Sequence, residues 1–113
     1  MMSVYCAVPV RLARSRTDTE MSVTVDQRVR MECNPSHGVP EPRITWTKDG
    51  QPLNQSDSTR NIRLLRAGRI LQVRSASVED SGQYTCIVEN KAGRDQRQYL
   101  LQVNGLFAFS FIL

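Results

Sequence analysis

The residue types that most often perform chemistry are few in this 113-residue chain, and they lie far apart in the sequence. His37 is the only histidine, so a metal site with several histidine ligands is excluded and a histidine-based catalytic triad has little to build on. The aspartates at positions 49, 57, 80 and 95 fall on separate turns and suggest no carboxylate pair. No glycine-rich phosphate loop is present. We therefore predict no catalysis, no metal, no cofactor and no small-molecule substrate.

The chain has three cysteines, and an odd number suggests one bonded pair with one spare thiol. Cys33 and Cys86 are 53 residues apart, and the single tryptophan, Trp46, lies 13 residues after Cys33. Cys6 lies outside the region that these three residues define. We interpret Cys6 as an unpaired residue in a disordered end, with an intermolecular disulfide as the alternative.

Short segments in which apolar and polar residues alternate must position these side chains, and no window shows the 3.6-residue periodicity of an amphipathic helix. The segments are residues 21–25, 29–33, 43–47, 70–74, 84–88 and 99–103. Turn sequences separate them, such as Asp-Gly at 49–50. Short strands with one apolar face need a second sheet to cover that face. We expect an all-β Greek-key sandwich of about seven strands in two antiparallel sheets.

Cys33, Trp46 and Cys86 occupy inward positions of three different strands, so their side chains converge on one interior. In a two-sheet sandwich, this arrangement lets a disulfide join the sheets while the indole packs across it. Closing a loop of 53 residues stabilises a fold by about 4 kcal/mol in the chain-entropy model. Leu71 also points inward from its strand and is predicted to lie in the same core.

Tyr84 lies two residues before Cys86, where a tyrosine corner requires a tyrosine whose hydroxyl bonds the backbone of the preceding turn. Asp80 is placed to cap that turn or to pair with an arginine, and Arg60 and Arg63 are the candidates. These residues belong to an Asp-x-Gly-x-Tyr-x-Cys motif at 80–86, which supports the sandwich independently of the cysteine spacing.

The motif and the cysteine–tryptophan spacing together resemble the I-set immunoglobulin family. The resemblance begins near residue 9 or 21, ends at 103, and includes GVPEP at 38–42 and WTKDG at 46–50. Residues 69–73, 88–93 and 99–103 look most like the tandem repeats of the hemicentins, which are very large extracellular matrix proteins. One departure lies at 25–28, where the family usually has a glycine and this chain has Asp26; aspartate tolerates turn geometry nearly as well.

The resemblance implies one domain at residues 9–104, between a disordered or poorly defined segment at 1–8 and an apolar tail at 105–113. The tail is about half as long as a membrane span, so it fits either a truncated span or a stray end. In the first 16 residues the positive charges follow the apolar stretch, so we do not interpret it as a signal peptide. The chain therefore looks like a fragment of something larger.

The function that the resemblance implies is that of an extracellular adhesion or matrix module, secreted or at the cell surface. Its partners would be other proteins, including neighbouring immunoglobulin domains. One alternative is an intracellular structural repeat of a giant muscle-type protein, in which both cysteines would remain thiols. Another is an ectodomain fragment of a cell-surface receptor.

The surface offers two further candidate sites. Asn54 begins an Asn-Gln-Ser glycosylation sequon in a predicted loop. The net charge of +4 comes almost wholly from arginines, which are spread along the chain and interleaved with acidic residues, so we predict no nucleic-acid binding. Arg28, Arg30 and Arg74, with Arg60 or Arg63, are placed to form a basic face for heparan sulfate; a merely solvated face is the alternative.

Overall fold

The computed structural model describes residues 8–12, 20–53 and 61–105, and in these ranges it contains eight strands arranged as two facing sheets. The strands are β1 (Glu20–Thr24), β2 (Val29–Glu32), β3 (Arg43–Lys48), β4 (Gln51–Leu53), β5 (Ile62–Leu65), β6 (Ile70–Val73), β7 (Gly82–Asn90) and β8 (Gly93–Asn104). The larger sheet has the order β1-β8-β7-β3-β4, and the smaller has the order β2-β6-β5. The predicted all-β sandwich is confirmed.

Every pairing between these strands is antiparallel except one. β1 runs parallel to β8, with Met21 opposite Leu101. A parallel pair needs a long connection between its strands, and these two strands come from opposite ends of the domain. Before β1, Val8 and Leu12 make isolated antiparallel bridges with Val39 and Pro35. Residues 8–12 therefore contact residues beyond β2, whereas β1 forms the edge of the larger sheet.

Turn residues account for two of the tight connections. β3 and β4 form a hairpin through Asp49 and Gly50, both with positive φ (50° and 82°), as an Asp-Gly sequence favours. Asp26 has φ 74°, so the aspartate that replaces the usual glycine does adopt left-handed geometry. Its backbone N–H donates to the Ala76 carbonyl at 2.7 Å, which holds this turn against the end of the smaller sheet.

Alternating burial along the strands places one face of each sheet in a common core. In β8, Tyr99, Leu101 and Val103 are buried, whereas Leu100 and Gln102 between them are exposed. No alternating segment of the sequence covers β4, which has only three residues, or β5, which follows a wholly polar stretch. No helix among the described residues has the length and apolar character needed to cross a bilayer.

Candidate functional site

The centre of the sandwich is the disulfide between Cys33 and Cys86, whose Cα atoms are 6.3 Å apart. Cys33 lies directly after β2 and Cys86 lies within β7, so the bond joins the two sheets. Trp46 is buried beside them, and its Nε1 donates to the Gly68 carbonyl at 2.7 Å. Because Gly68 belongs to the turn between β5 and β6, the indole also links the two sheets.

Two further core residues pack in the same interior. Leu71 is fully buried in β6. The Tyr99 ring lies 6.1 Å from the indole of Trp46, centroid to centroid, in a stacked arrangement, and its hydroxyl donates to the Glu32 carbonyl. Burial raises the pKa of the Tyr99 phenol above its usual value.

Tyr84 forms the corner that its position predicted. Its ring is buried, and its hydroxyl donates to the Asp80 carbonyl at 2.6 Å. Burial raises the pKa of the Tyr84 phenol strongly, and the negative charges of Asp80 and Asp49 raise it further. The Asp80 carboxylate accepts hydrogen bonds from the Ser77 backbone N–H and hydroxyl and from Asn61 Nδ2. Of the two roles predicted for Asp80, these contacts are those of a cap.

Chemistry-bearing residues do not cluster in the described part of the chain, where no group of three or more His, Cys, Asp or Glu side chains is placed to hold a metal. His37 is exposed in the loop before β3, beside an open recess of about 570 Å³ lined by residues 35–42 and Arg69. Two groups of candidate residues lie on the outer faces of the two sheets.

The outer face of the smaller sheet carries the predicted basic residues, and we name it the arginine face. Its outward positions hold Arg28, Arg30, Glu32, Arg63, Leu65, Ile70, Gln72 and Arg74, of which Ile70 is buried. Val29 pairs with Val73, and continuing this register by one residue sets Arg28 opposite Arg74. Both arginines line a recess of about 320 Å³ together with Asn61 and Ser75.

The third predicted arginine lies on the same face as this pair. Arg30 is two pairings further along β2, and its Nε is 3.4 Å from the Glu32 carboxylate. Arg63 lies on β5 and, like Arg30, is paired in register with Gln72. Asp26 is also near the recess, since its carboxylate accepts a hydrogen bond from the Ser75 hydroxyl at 3.1 Å. Cys6, Asn54, Arg60 and the tail at 106–113 lie outside the described residues.

The outer face of the larger sheet was not predicted, and we name its central part the neutral face. It consists of the outward residues of β3, β7 and β8 that carry no charge: Thr45, Thr47, Gln83, Thr85, Ile87, Gln96, Gln98 and Leu100. Gln83 Nε2 donates to Gln98 Oε1 at 2.9 Å, and Leu100 is 50% exposed. The signal was present in the sequence, because these are the positions that alternate with the predicted core residues.

Charged residues border the neutral face on two sides. At one end, Arg43, Glu89 and Arg94 are paired in one cross-strand row. At one edge, Glu20 of β1 lies opposite Leu100.

Comparisons with known proteins agree with this architecture. The family model described as the immunoglobulin I-set domain matches residues 14–103. Human hemicentin-1 is 38% identical over 85% of this chain, and neural cell adhesion molecule 1 of Gallus gallus is 31% identical over 90%. The matched regions span only 2% and 9% of those two proteins.

A solved structure of the titin M3 domain superimposes with a TM-score of 0.70 and 31% identity, covering 86% of this chain and 98% of that one. The family model covers most of the chain, and the resemblance to I-set domains of the hemicentin type is confirmed. This chain belongs to the immunoglobulin I-set family.

Proposed function

We propose that this chain is a non-catalytic protein-interaction module of an extracellular adhesion or matrix protein. The observation that carries the proposal is the neutral face, where a half-exposed leucine lies among uncharged side chains on a rigid sheet. The centres of protein–protein interfaces are depleted of charged residues, whereas most solvated surfaces are not. The neutral face shares this depletion of charged residues with interface centres.

The family and the disulfide support the extracellular location. Members of the immunoglobulin domain family are generally non-catalytic binding modules, and the relatives include a protein named as a neural cell adhesion molecule. A disulfide between Cys33 and Cys86 persists in oxidising compartments and is rare in the cytosol. Both features fit a secreted or cell-surface module.

The titin likeness favours a second candidate, an intracellular structural repeat. The two candidates differ in the chemistry of Cys33 and Cys86, which would be bonded in the first and free in the second. Non-reducing mass spectrometry of protein from its native source separates them. We expect the peptides that contain Cys33 and Cys86 to be cross-linked; free thiols at both positions would favour the intracellular repeat.

The interaction role is tested on a panel of purified ectodomains and matrix proteins, with the domain immobilised and its disulfide intact. The informative variant is Leu100→Glu on the neutral face, and its matched control is Leu65→Glu, an exposed leucine (36%) on the arginine face. We expect at least one panel protein to bind wild type and the control but not the Leu100→Glu variant. Absence of binding, or equal binding by both variants, would contradict the proposal.

We also propose that the arginine face binds sulfated glycans such as heparan sulfate. The supporting observation is the opposition of Arg28 and Arg74 across one recess. Like charges directly opposite in an antiparallel pair are destabilising, and an anion between them removes this repulsion. Arginine also binds sulfate and phosphate oxygens through two parallel N–H donors.

Heparin-column elution tests this binding with charge-matched variants. Arg28→Ala with Arg74→Ala removes two charges from the recess, and Arg43→Ala with Arg94→Ala removes two from the border of the neutral face. We expect the first variant to elute at clearly lower salt than the second. Equal elution of the two variants would mean that net charge alone sets retention, and the recess would have no role.

A further inference from the structure

The two apolar side chains of the neutral face are arranged so that the face is complementary to itself. Ile87 of β7 is paired with Gln96, and Leu100 of β8 is paired with Gln83. The standard strand rise and spacing place these two side chains about 14 Å apart. The pair Thr85 and Gln98 lies midway between them.

We propose that the neutral face binds a second copy of this chain, with the two sheets stacked face to face. The twofold axis lies within the interface, over the Thr85–Gln98 pair and at right angles to the line from Ile87 to Leu100. Rotation about this axis sets Leu100 of one copy on Ile87 of the other, and the reverse, as an isologous contact requires. This inference names a partner for the proposed interaction role and rests on it.

Polar residues near the axis can pair with their own copies. The axis brings Thr85 close to Thr85 and Gln98 close to Gln98. A hydroxyl both donates and accepts hydrogen bonds, and a carboxamide carries a donor and an acceptor. Identical side chains can therefore satisfy each other, which a pair of lysines or glutamates cannot do.

The charged borders are also complementary under this rotation. The row of Arg43, Glu89 and Arg94 at one end of the face is carried over the other end of the second copy, where β8 and β1 present Gln102 and Ser22. Glu20, at the edge beside Leu100, is carried close to Arg94 of the second copy. The arrangement brings opposite charges together and keeps like charges apart, although each chain has a net charge of +4.

The size of the face sets the expected strength of self-association. Five residues along each of its three strands cover roughly 250 Å² in plan. This area is well below the ~800 Å² that each partner buries in a standard stable interface, so one pair of domains associates weakly. We expect a dissociation constant on the order of 10⁻⁴ to 10⁻³ M.

The test is a dilution series of the disulfide-bonded domain, from about 1 mM to 20 µM, at physiological salt, followed by amide chemical shifts and sedimentation velocity. Concentration-dependent shifts are expected at residues 83–87 and 96–100. Leu100→Glu abolishes them, whereas the charge-matched Leu65→Glu does not. Thr85→Lys is the second variant, because it sets two like charges together at the axis; the melting temperature of each variant verifies that it is folded.

The charge pairing provides a stricter test. Glu20→Arg and Arg94→Glu should each weaken self-association at least threefold, and the double variant, which exchanges the charges, should restore it. A monomer at 1 mM, an unchanged association in Leu100→Glu, or a double variant no stronger than the singles would overturn the proposal. Failure here with success on the panel of other ectodomains would leave the interaction role standing and remove only the second copy as its partner.

Discussion

The two outer faces of this sandwich cover one core but differ in composition. The arginine face carries Arg28, Arg30, Arg63 and Arg74 with one nearby ion pair, whereas the neutral face carries threonine, glutamine, isoleucine and leucine. Both faces come from strands with the same alternation of inward and outward residues. The alternation that folding requires is therefore the same in both sheets, and we attribute the difference between their outward residues to the two proposed partners.

Both faces are supported by one core, so a substitution that destabilises the core should disrupt both of them. The largest expected effect is of this kind. Cys33→Ala with Cys86→Ala should lower the free energy of unfolding by about 4 kcal/mol, since the denatured chain loses a 53-residue cross-link. Guanidinium denaturation measures this loss. Self-association should disappear as the variant unfolds, and the difference in heparin elution that depends on the Arg28–Arg74 recess should disappear with it.

Cys6→Ala is the control for the double cysteine variant, and it should leave stability unchanged. If the double variant unfolded at the same denaturant concentration as wild type, the disulfide would not support the two faces.

A smaller effect is expected at the turn bordering the neutral face. Gly82 has φ 155°, and a Cβ there would lie 2.7 Å from Asp49 Oδ2. The Asp49 carboxylate accepts a hydrogen bond from the Gln83 backbone N–H, so moving it loosens the start of β7. Gly82→Ala should cost about 1–3 kcal/mol of stability by urea denaturation.

Gly50→Ala is the matched control, because Gly50 also has positive φ but a Cβ there meets nothing within 4 Å. It should cost less than Gly82→Ala, through backbone strain alone. An equal loss in both variants would show that contact with Asp49 is unimportant.

The buried tyrosines predict how stability depends on pH. Burial raises the pKa of both Tyr84 and Tyr99, so the folded state keeps these phenols neutral where the unfolded chain ionises them. Stability should be unaffected by these groups below about pH 10, the usual tyrosine pKa, and should fall as pH rises above it. Thermal melts between pH 8 and 12 measure the decline.

The substitution Tyr84→Phe separates the contribution of the tyrosine corner from that of Tyr99. The variant should be about 1–2 kcal/mol less stable at neutral pH, because it loses the buried hydrogen bond to the Asp80 carbonyl. Its stability should also fall less steeply above pH 10. A decline as steep as that of wild type would assign the alkaline effect to other groups.

The smallest expected effect concerns the ion pair on the arginine face. Glu32→Gln frees Arg30 from its exposed partner, and such pairs contribute only about 0–1 kcal/mol to stability. The variant should nevertheless elute from heparin at higher salt than Glu89→Gln, which removes the same charge from the other face. Identical elution of the two variants would show that Arg30 does not contribute to glycan binding.

Much of the interior could be predicted from the sequence because a buried residue leaves a periodic signal. Cys33, Trp46, Leu71, Tyr84 and Cys86 all lie at inward positions of short strands, and the structure buries each of them. The tyrosine of the corner is recognised by its local position, two residues before the second cysteine, and this prediction needs no tertiary information. Such features are fixed by neighbours in sequence and by the parity of a strand.

The outer faces could be predicted only in part, since they depend on which strands are neighbours. The opposition of Arg28 and Arg74 follows from the register of β2 with β6, which no local pattern specifies. The neutral face needs the order of β3, β7 and β8, and β8 follows β7 while β3 precedes both by more than thirty residues. The parallel pairing of β1 with β8 likewise joins segments about eighty residues apart.

The most direct test of two independent binding faces is a single map of amide chemical shifts recorded under two perturbations. Addition of a heparin oligosaccharide should move the signals of residues 28 and 74 and leave residues 85, 87, 98 and 100 in place. Dilution from 1 mM should move the signals of residues 85, 87, 98 and 100 and leave those of residues 28 and 74 in place. Shifts at one common set of residues under both perturbations would contradict the division of the domain into two faces with different partners.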